Sequence, residues 1–177
     1  MYNAILAFWF EETDHSLWWM ADPEFDRRVK ERFHDLLNQA AQGELFSWRG
    51  EPKGRLAEII VLDQFSRNIH RNTPAAFTQD PMALVLAQEA VSAGVHQALS
   101  PVERGFLLLP YMHSESRQIH VQAEALYREH APDNYEFELK HKAIIDRFGR
   151  YPHRNQVLGR VSSADEIEFL KQPGSDF

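Results

Sequence analysis

Two charged side chains fall on the apolar face of a predicted central helix. At about 100° per residue, Asp63 and Arg67 share a face with Ile59 in the helix predicted over residues 55–70. Because this helix is apolar on its opposite side as well, it is predicted to be buried. A buried charge without a partner is strongly unfavourable, and residues four apart on a helix meet. We therefore expect Asp63 and Arg67 to pair.

Two later helices show the same feature. Glu115 projects onto the apolar stripe of the helix predicted over residues 114–129. His141 projects onto the apolar stripe of the helix predicted over residues 134–148. Titratable groups that gather on apolar faces are typical of binding and catalytic sites. Acid–base chemistry by Glu115, Asp63 and His141 is therefore one hypothesis, since it requires only proximity and shifted pKa values.

A basic segment follows the second of these helices. From Gly149 to Arg160 the sequence contains three arginines and one histidine but no acidic residue. Arginine is suited to bidentate capture of a carboxylate or phosphate group. These features predict a pocket for a small anionic ligand, in which Asp63, Glu115 and His141 orient the arginines or move protons. The residues predicted to bind the ligand are Arg67, Arg150 and Arg154, with His113, His153 and Asn155 as second choices.

A structural interpretation stands beside this one. Asp63 and Arg67 would then form a structural ion pair, and His141 would be a satisfied core histidine. The two interpretations differ at Arg154. In a structural network, Arg154→Ala strands a buried carboxylate and lowers stability. In a ligand site, the same substitution leaves stability unchanged or raises it.

Other chemistries have weaker support. His113, Glu115 and His120 have a poor spacing for one helix face, and no His-Glu-x-x-His motif occurs. Ser66 and Ser114 lie outside any Gly-x-Ser-x-Gly elbow. Phosphate-loop and dinucleotide fingerprints are absent as well. We therefore predict no metal and no cofactor.

A protein or peptide is the alternative partner. Trp9, Trp18, Trp19 and Trp48 would supply anchors for a peptide held in a groove, although such aromatic residues more often pack in a core. The formal net charge of −7 argues against the basic face that nucleic acid requires, so no nucleic-acid partner is expected. The sequence leaves homo-oligomerisation open.

The elements that must position these residues are helices. Apolar residues recur at helical spacing and no strand alternation exceeds a few residues, so the predicted class is all-α. We expect six to eight helices stacked as antiparallel pairs, because the connections are short. The predicted helices cover residues 3–11, 23–41, 55–70, 80 up to Gly94, 102–109, 114–129, 134–148 and 164–171.

The composition fits one globular domain. Apolar residues make up 44% and charged residues 25% of the 177 residues, and we expect a single domain over 1–177 with its core in 3–171. Residues 172–177 are predicted to form a frayed tail. The absence of cysteine excludes disulfides and thiolate nucleophiles. The apolar segment 4–10 lacks a preceding basic residue, so we expect no secretory signal, no membrane span and a cytoplasmic location.

Several motifs in the chain are long and specific. They are Asp63-Gln64-Phe65-Ser66-Arg67-Asn68, Leu109-Pro110-Tyr111-Met112-His113-Ser114-Glu115 and Phe148-Gly149-Arg150-Tyr151-Pro152-His153-Arg154-Asn155. Through these motifs the chain resembles the bacterial DUF924 family over about residues 5–170. The resemblance implies an all-helical fold similar to tetratricopeptide-repeat arrays. It implies no reaction, substrate or cofactor, because the function of that family is unknown.

Overall fold

The computed structural model describes residues 2–175, and these residues are helical almost throughout. Eight helices and no β-strand occur in this part of the chain, which confirms the predicted all-α class. The helices are α1 (residues 2–12), α2 (Pro23–Ala41), α3 (residues 52–69), α4 (Asp80–Ser92), α5 (Pro101–Met112), α6 (Arg117–His130), α7 (Tyr135–Phe148) and α8 (Ala164–Leu170).

Local capping signals set several of the helix ends. The Asp22 carboxylate accepts a hydrogen bond from the Phe25 N–H at 2.7 Å, and Pro23 occupies the first turn of α2. Ser163 and Glu166 form the expected capping box at the start of α8. Gly149 ends α7 in the left-handed conformation, with φ of 72°. These predicted boundaries are confirmed because each depends only on residues close in sequence.

Two predicted boundaries around α5 and α6 are wrong. α5 continues through Pro110 to Met112, since a proline in the last turn removes only one hydrogen bond and this turn is buried. α6 begins at Arg117, where the Ser116 hydroxyl accepts from the Ile119 N–H. Glu115 therefore precedes the helix and does not project from its apolar stripe. The sequence prediction placed Glu115 on the apolar stripe because it extended the helical spacing of α6 towards the N-terminus, past the true start of the helix.

α3 is the central helix, as its two-sided apolar pattern predicts. It packs against α1, α2, α4 and α5, and residues 56–66 are all buried. Its middle, Val61–Phe65, is a π turn between two α-helical segments. Such turns insert an extra residue and rotate the side chains that follow, and they are frequent at functional sites. Asp63 lies inside this turn.

The main core is aromatic and lies under the first half of the chain. Phe8, Trp9, Phe25 and Phe65 are fully buried and contact one another. Trp48 is also buried in this core, so neither it nor Trp9 is accessible as a peptide anchor. Consecutive helices pack on each other from α4 through α7. The tetratricopeptide-like superhelix stays a prediction.

The C-terminal tail contacts the end of α8 at Ser175. Ser175 is buried, and its hydroxyl donates a hydrogen bond to the Leu170 carbonyl at 3.2 Å. The fraying of residues 172–177 stays a prediction, and Asp176 and Phe177 lie outside the described residues. Within residues 2–175, no helix combines the length and apolar character needed to cross a membrane.

Candidate functional site

Asp63 is the buried centre of a group of charged residues. Its side chain is 1% exposed, and Oδ1 lies 2.7 Å from Nδ1 of His113 and 3.2 Å from Nη1 of Arg67. Oδ2 accepts a hydrogen bond from Gln64 at 2.6 Å. Burial raises the pKa of Asp63, but the charges of Arg67 and His113 outweigh it and hold this pKa well below its ordinary value. The predicted pairing of Asp63 with Arg67 is confirmed.

Arg67 has a second partner that the sequence did not indicate. Its Nη1 and Nη2 donate to the two carboxylate oxygens of Asp80 at 2.8 and 2.9 Å, and Nη1 also donates to the Asp63 carbonyl. Asp80 is the first residue of α4, where an acid is already favoured by the helix dipole. Because the helix dipole already accounts for an acid at this position, nothing in the sequence indicated that Asp80 also pairs with Arg67. The hydrogen-bonding capacity of Arg67 is thus largely taken up by the protein itself.

Arg154 is buried without such partners. Its guanidinium stacks between the rings of Phe77 and Tyr151, 4.7 and 4.5 Å from their centroids, and the residue is 6% exposed. The Asp80 carboxylate approaches Nη1 only to 3.6 Å. The guanidinium of Arg154 makes no hydrogen bond with residues 2–175, and its Nε is fully buried. Burial, followed by the charge of Arg67, lowers the pKa of Arg154.

Glu115 is fully engaged by the loop that follows α7. Arg160 forks onto its carboxylate at 2.7 and 2.9 Å, and the Tyr151 N–H donates to it at 2.7 Å. Burial raises the pKa of Glu115, but the hydrogen bonds from Arg160 and Tyr151 lower it by more. The predicted catalytic role of Glu115 is therefore not supported, because an acid–base group needs a free oxygen and a pKa near the working pH. Its contacts give it a structural role.

Removal of this carboxylate tests the structural role. We expect Glu115→Gln to lower the free energy of unfolding by about 2 kcal/mol, because it weakens charge-assisted hydrogen bonds to Arg160 and Tyr151 at a partly buried position. Urea denaturation measures the change. Glu168→Gln is the control, since Glu168 pairs with Lys171 on the surface and such pairs contribute about 0–1 kcal/mol. Equal effects of the two substitutions would contradict the assignment.

His141 and His153 lie beside the ring of Tyr151. His141 is buried, its Nδ1 donates to the Phe137 carbonyl at 2.7 Å, and its ring lies 5.8 Å from that of Tyr151. The ring centroid of His153 lies 5.6 Å from that of Tyr151. Burial lowers the pKa of His141 to about 3, so the ring is neutral near neutral pH. The predicted proton-transfer role of His141 is therefore not supported.

Arg150 and Asn155 bind partners in the segment that follows α7 and in α8. Arg150 donates to both carboxylate oxygens of Glu166 at 2.7 and 2.8 Å and to the Val161 carbonyl at 2.9 Å. Asn155 accepts from Arg160 at 2.9 Å. These contacts tie the arginine loop to α8 and do not place Arg150 with Arg67 and Arg154. Because Arg150 is already paired with Glu166, these contacts do not support its predicted part in binding the ligand.

A second acid–histidine pair is completely enclosed. His120 and Glu138 are both 0% exposed, with Nδ1 of His120 2.7 Å from the Glu138 carboxylate. Nε2 of His120 lies 2.8 Å from the Ser114 carbonyl and 3.2 Å from the Tyr151 hydroxyl. His113 and His120 therefore have different carboxylate partners. Within residues 2–175, no three histidines or acids converge as metal ligands.

Solvent reaches the charged group at three side chains. His113, Arg67 and Asp80 are 16–18% exposed. Two surface clefts lie elsewhere. One of about 450 Å³ lies beside Arg150 and Glu166, and one of about 410 Å³ lies beside Asp26 and Arg71. Neither is lined by Arg154. The charged group around Asp63 is the better candidate site, because Arg150, which borders the larger cleft, is already paired with Glu166.

The chain is similar to proteins of unknown function. A solved structure of such a protein, ATU0120 from Agrobacterium tumefaciens, has 34% sequence identity, a TM-score of 0.91 and coverage of 96% of both chains. No curated protein matches. The profile of a family described as bacterial protein of unknown function, DUF924, matches residues 5–174. The chain therefore belongs to the DUF924 family, as its motifs indicated.

Proposed function

We propose that this protein binds a small molecule through a carboxylate or phosphate group, with Arg154 as the principal contact. The observation that carries the proposal is a buried guanidinium that stacks on two aromatic rings and makes no hydrogen bond within residues 2–175. A buried cation is strongly unfavourable unless acceptors satisfy it. An oxyanion is the acceptor that a planar guanidinium fits best.

Net charge alone does not attract the ligand. Arg67 and Arg154 are balanced by Asp63 and Asp80, which form three ion pairs with them. What the site offers is unused donors on Arg154 in a poorly solvated position, where hydrogen bonds to an anion are stronger than in water. Arg67 supports the anion by charge, since its guanidinium also lies over the Phe77 ring, 5.5 Å from the centroid.

Inorganic phosphate and acetate are the probes for this proposal. A ligand that binds only the folded state at a hundredfold excess over its Kd adds about 2.7 kcal/mol, which raises Tm by about 5 to 11 °C for a chain of this size. We expect such a shift with wild-type protein. In Arg154→Met the shift is lost, while Tm without ligand stays unchanged or rises, because an unsatisfied buried charge has been removed.

Arg150→Met is the matched control from the same loop. Arg150 is satisfied by Glu166, which is itself buried, so its removal strands a carboxylate and lowers Tm. The phosphate or acetate shift is retained in this variant. If neither probe shifts wild-type Tm and Arg154→Met is destabilised, the ligand proposal is wrong. The cluster is then architectural, and a protein or peptide partner becomes the better hypothesis.

A further inference from the structure

His113 contacts the buried Asp63 and is itself partly exposed to solvent. It caps the C-terminal end of α5, and its Nδ1 lies 2.7 Å from the Asp63 carboxylate. The side chain is 16% exposed, whereas that of Asp63 is 1% exposed. Nε2 makes no hydrogen bond within residues 2–175 and is accessible to solvent. The ring therefore joins the interior of the charged group to the solvent.

The contact with Asp63 determines which nitrogen carries the proton. An ionised carboxylate only accepts hydrogen bonds, so Nδ1 of His113 donates and Nε2 carries the lone pair of the neutral ring. Burial and the charge of Arg67 lower the pKa of His113, although Asp63 opposes them. The neutral ring is thus held with its basic nitrogen outward. Asp63 itself has no access to a ligand and acts only through the ring.

The enclosed pair of His120 and Glu138 provides an internal contrast. It has the same short contact between Nδ1 and a carboxylate oxygen, but both residues are 0% exposed. Its Nε2 faces the Ser114 carbonyl, which only accepts, so that nitrogen carries a proton. Of these two acid–histidine pairs, only that of His113 presents an unprotonated nitrogen to solvent. A bound molecule can therefore exchange a proton with His113 and not with His120.

We propose that the site transfers a proton to or from the anionic molecule, with Nε2 of His113 as the group that carries it. The inference rests on the proposed function, because Arg154 holds the substrate. In the forward step a bond between hydrogen and an atom of the substrate breaks, its electron pair stays on the substrate, and an N–H bond forms at Nε2. The carboxylate of Asp63 neutralises the imidazolium. The substrate is an anion with an acidic proton near its carboxylate or phosphate group.

Sulfate tests this inference because it is an oxyanion whose charge does not change near neutral pH. The charged groups around His113 are Asp63 and Arg67 from α3 and Asp80 from α4, and the titratable His141 of α7 is neutral over the pH range tested. A sulfate at Arg154 favours the protonated form of His113. By reciprocity, sulfate affinity rises as pH falls from about 8 to about 5, by up to about tenfold per pH unit.

Two histidine variants assign the proton. His113→Gln keeps an amide donor for Asp63 but cannot titrate, so we expect sulfate affinity to become independent of pH. His141→Gln is the matched control. It keeps the pH dependence, because His141 is already neutral over this range. Nitrogen NMR of wild-type protein gives a second readout that does not depend on either variant folding. Sulfate is expected to raise the fraction of His113 that is protonated at Nε2.

The outcomes separate this inference from the proposed function. Sulfate binding that ignores pH, or pH dependence that survives in His113→Gln, overturns proton transfer and leaves the ligand site standing. An Nε2 signal of His113 that sulfate does not change has the same meaning. Failure of sulfate, phosphate and acetate alike to bind wild-type protein overturns the proposed function, and the inference falls with it. If phosphate or acetate binds but sulfate does not, only the proton-transfer inference is overturned.

Discussion

Asp63→Asn is expected to lower the free energy of unfolding by about 3 kcal/mol at neutral pH. Removal of one partner from a buried ion pair costs about 3–5 kcal/mol, since it leaves an uncompensated charge. The lower end applies here because Arg67 keeps its fork to Asp80. The amide also retains an oxygen that can accept from His113. Urea denaturation of both proteins at neutral pH measures the difference.

The pH dependence of this difference identifies the carboxylate as its source. Arg67 and His113 hold the pKa of Asp63 below its ordinary value in the folded protein. A group with a depressed folded pKa contributes its full stability above the unfolded pKa, about 3.9 for aspartate, and loses it as pH falls towards the folded pKa. The gap between wild type and Asp63→Asn therefore narrows below about pH 4.

Asp35→Asn is the control for the same measurement. Asp35 lies on α2 with its side chain 99% exposed, so its loss changes the free energy of unfolding by no more than about 0.5 kcal/mol. A gap between wild type and Asp63→Asn that stays constant down to about pH 3 would show that lost packing, and not the lost charge, causes the effect.

Gly54→Ala is expected to destabilise the protein by about 3 kcal/mol or more, at or above the upper end for overpacked sites. A Cβ at Gly54 would lie 2.1 Å from the Trp48 carbonyl oxygen and 2.9 Å from its carbon. These are backbone atoms of the turn Phe46–Gly50, so no rotamer change relieves the clash. The first turn of α3 must move away from a turn whose Trp48 is in the core. Thermal and urea denaturation both measure the loss.

Gly50→Ala is the matched control four residues earlier. A Cβ there meets no atom within 4 Å, and Gly50 is not in the left-handed region. Its substitution is expected to be neutral or to stabilise by about 0.4–1 kcal/mol, because alanine restricts the unfolded chain. Similar losses in both variants would mean that the approach of Trp48 to α3 is not the cause.

The sequence by itself determined the helical class and the helix ends that local chemistry fixes. Asp22 and Pro23 start α2, and Gly149 ends α7, because caps and left-handed glycines act over three or four residues. Asp63 and Arg67 were paired correctly for the same reason, since one turn of helix joins them. The prediction failed where helical spacing was extended past the residue that caps a helix. Ser116 starts α6 and leaves Glu115 outside it.

Only the tertiary structure decided which charged groups meet across the chain. His113 contacts Asp63, which lies fifty residues earlier in the chain, and Arg67 pairs with Asp80 on another helix. Arg150 and Arg154 are arginines of the same loop, and the sequence does not distinguish them. In the structure Arg150 pairs with Glu166, whereas Arg154 lies over aromatic rings. Spacing along a chain fixes contacts within a helix, whereas these partners depend on distances set by how whole helices pack. For this reason the charged residues of the candidate site could be picked out from the sequence, whereas the partner of each could not.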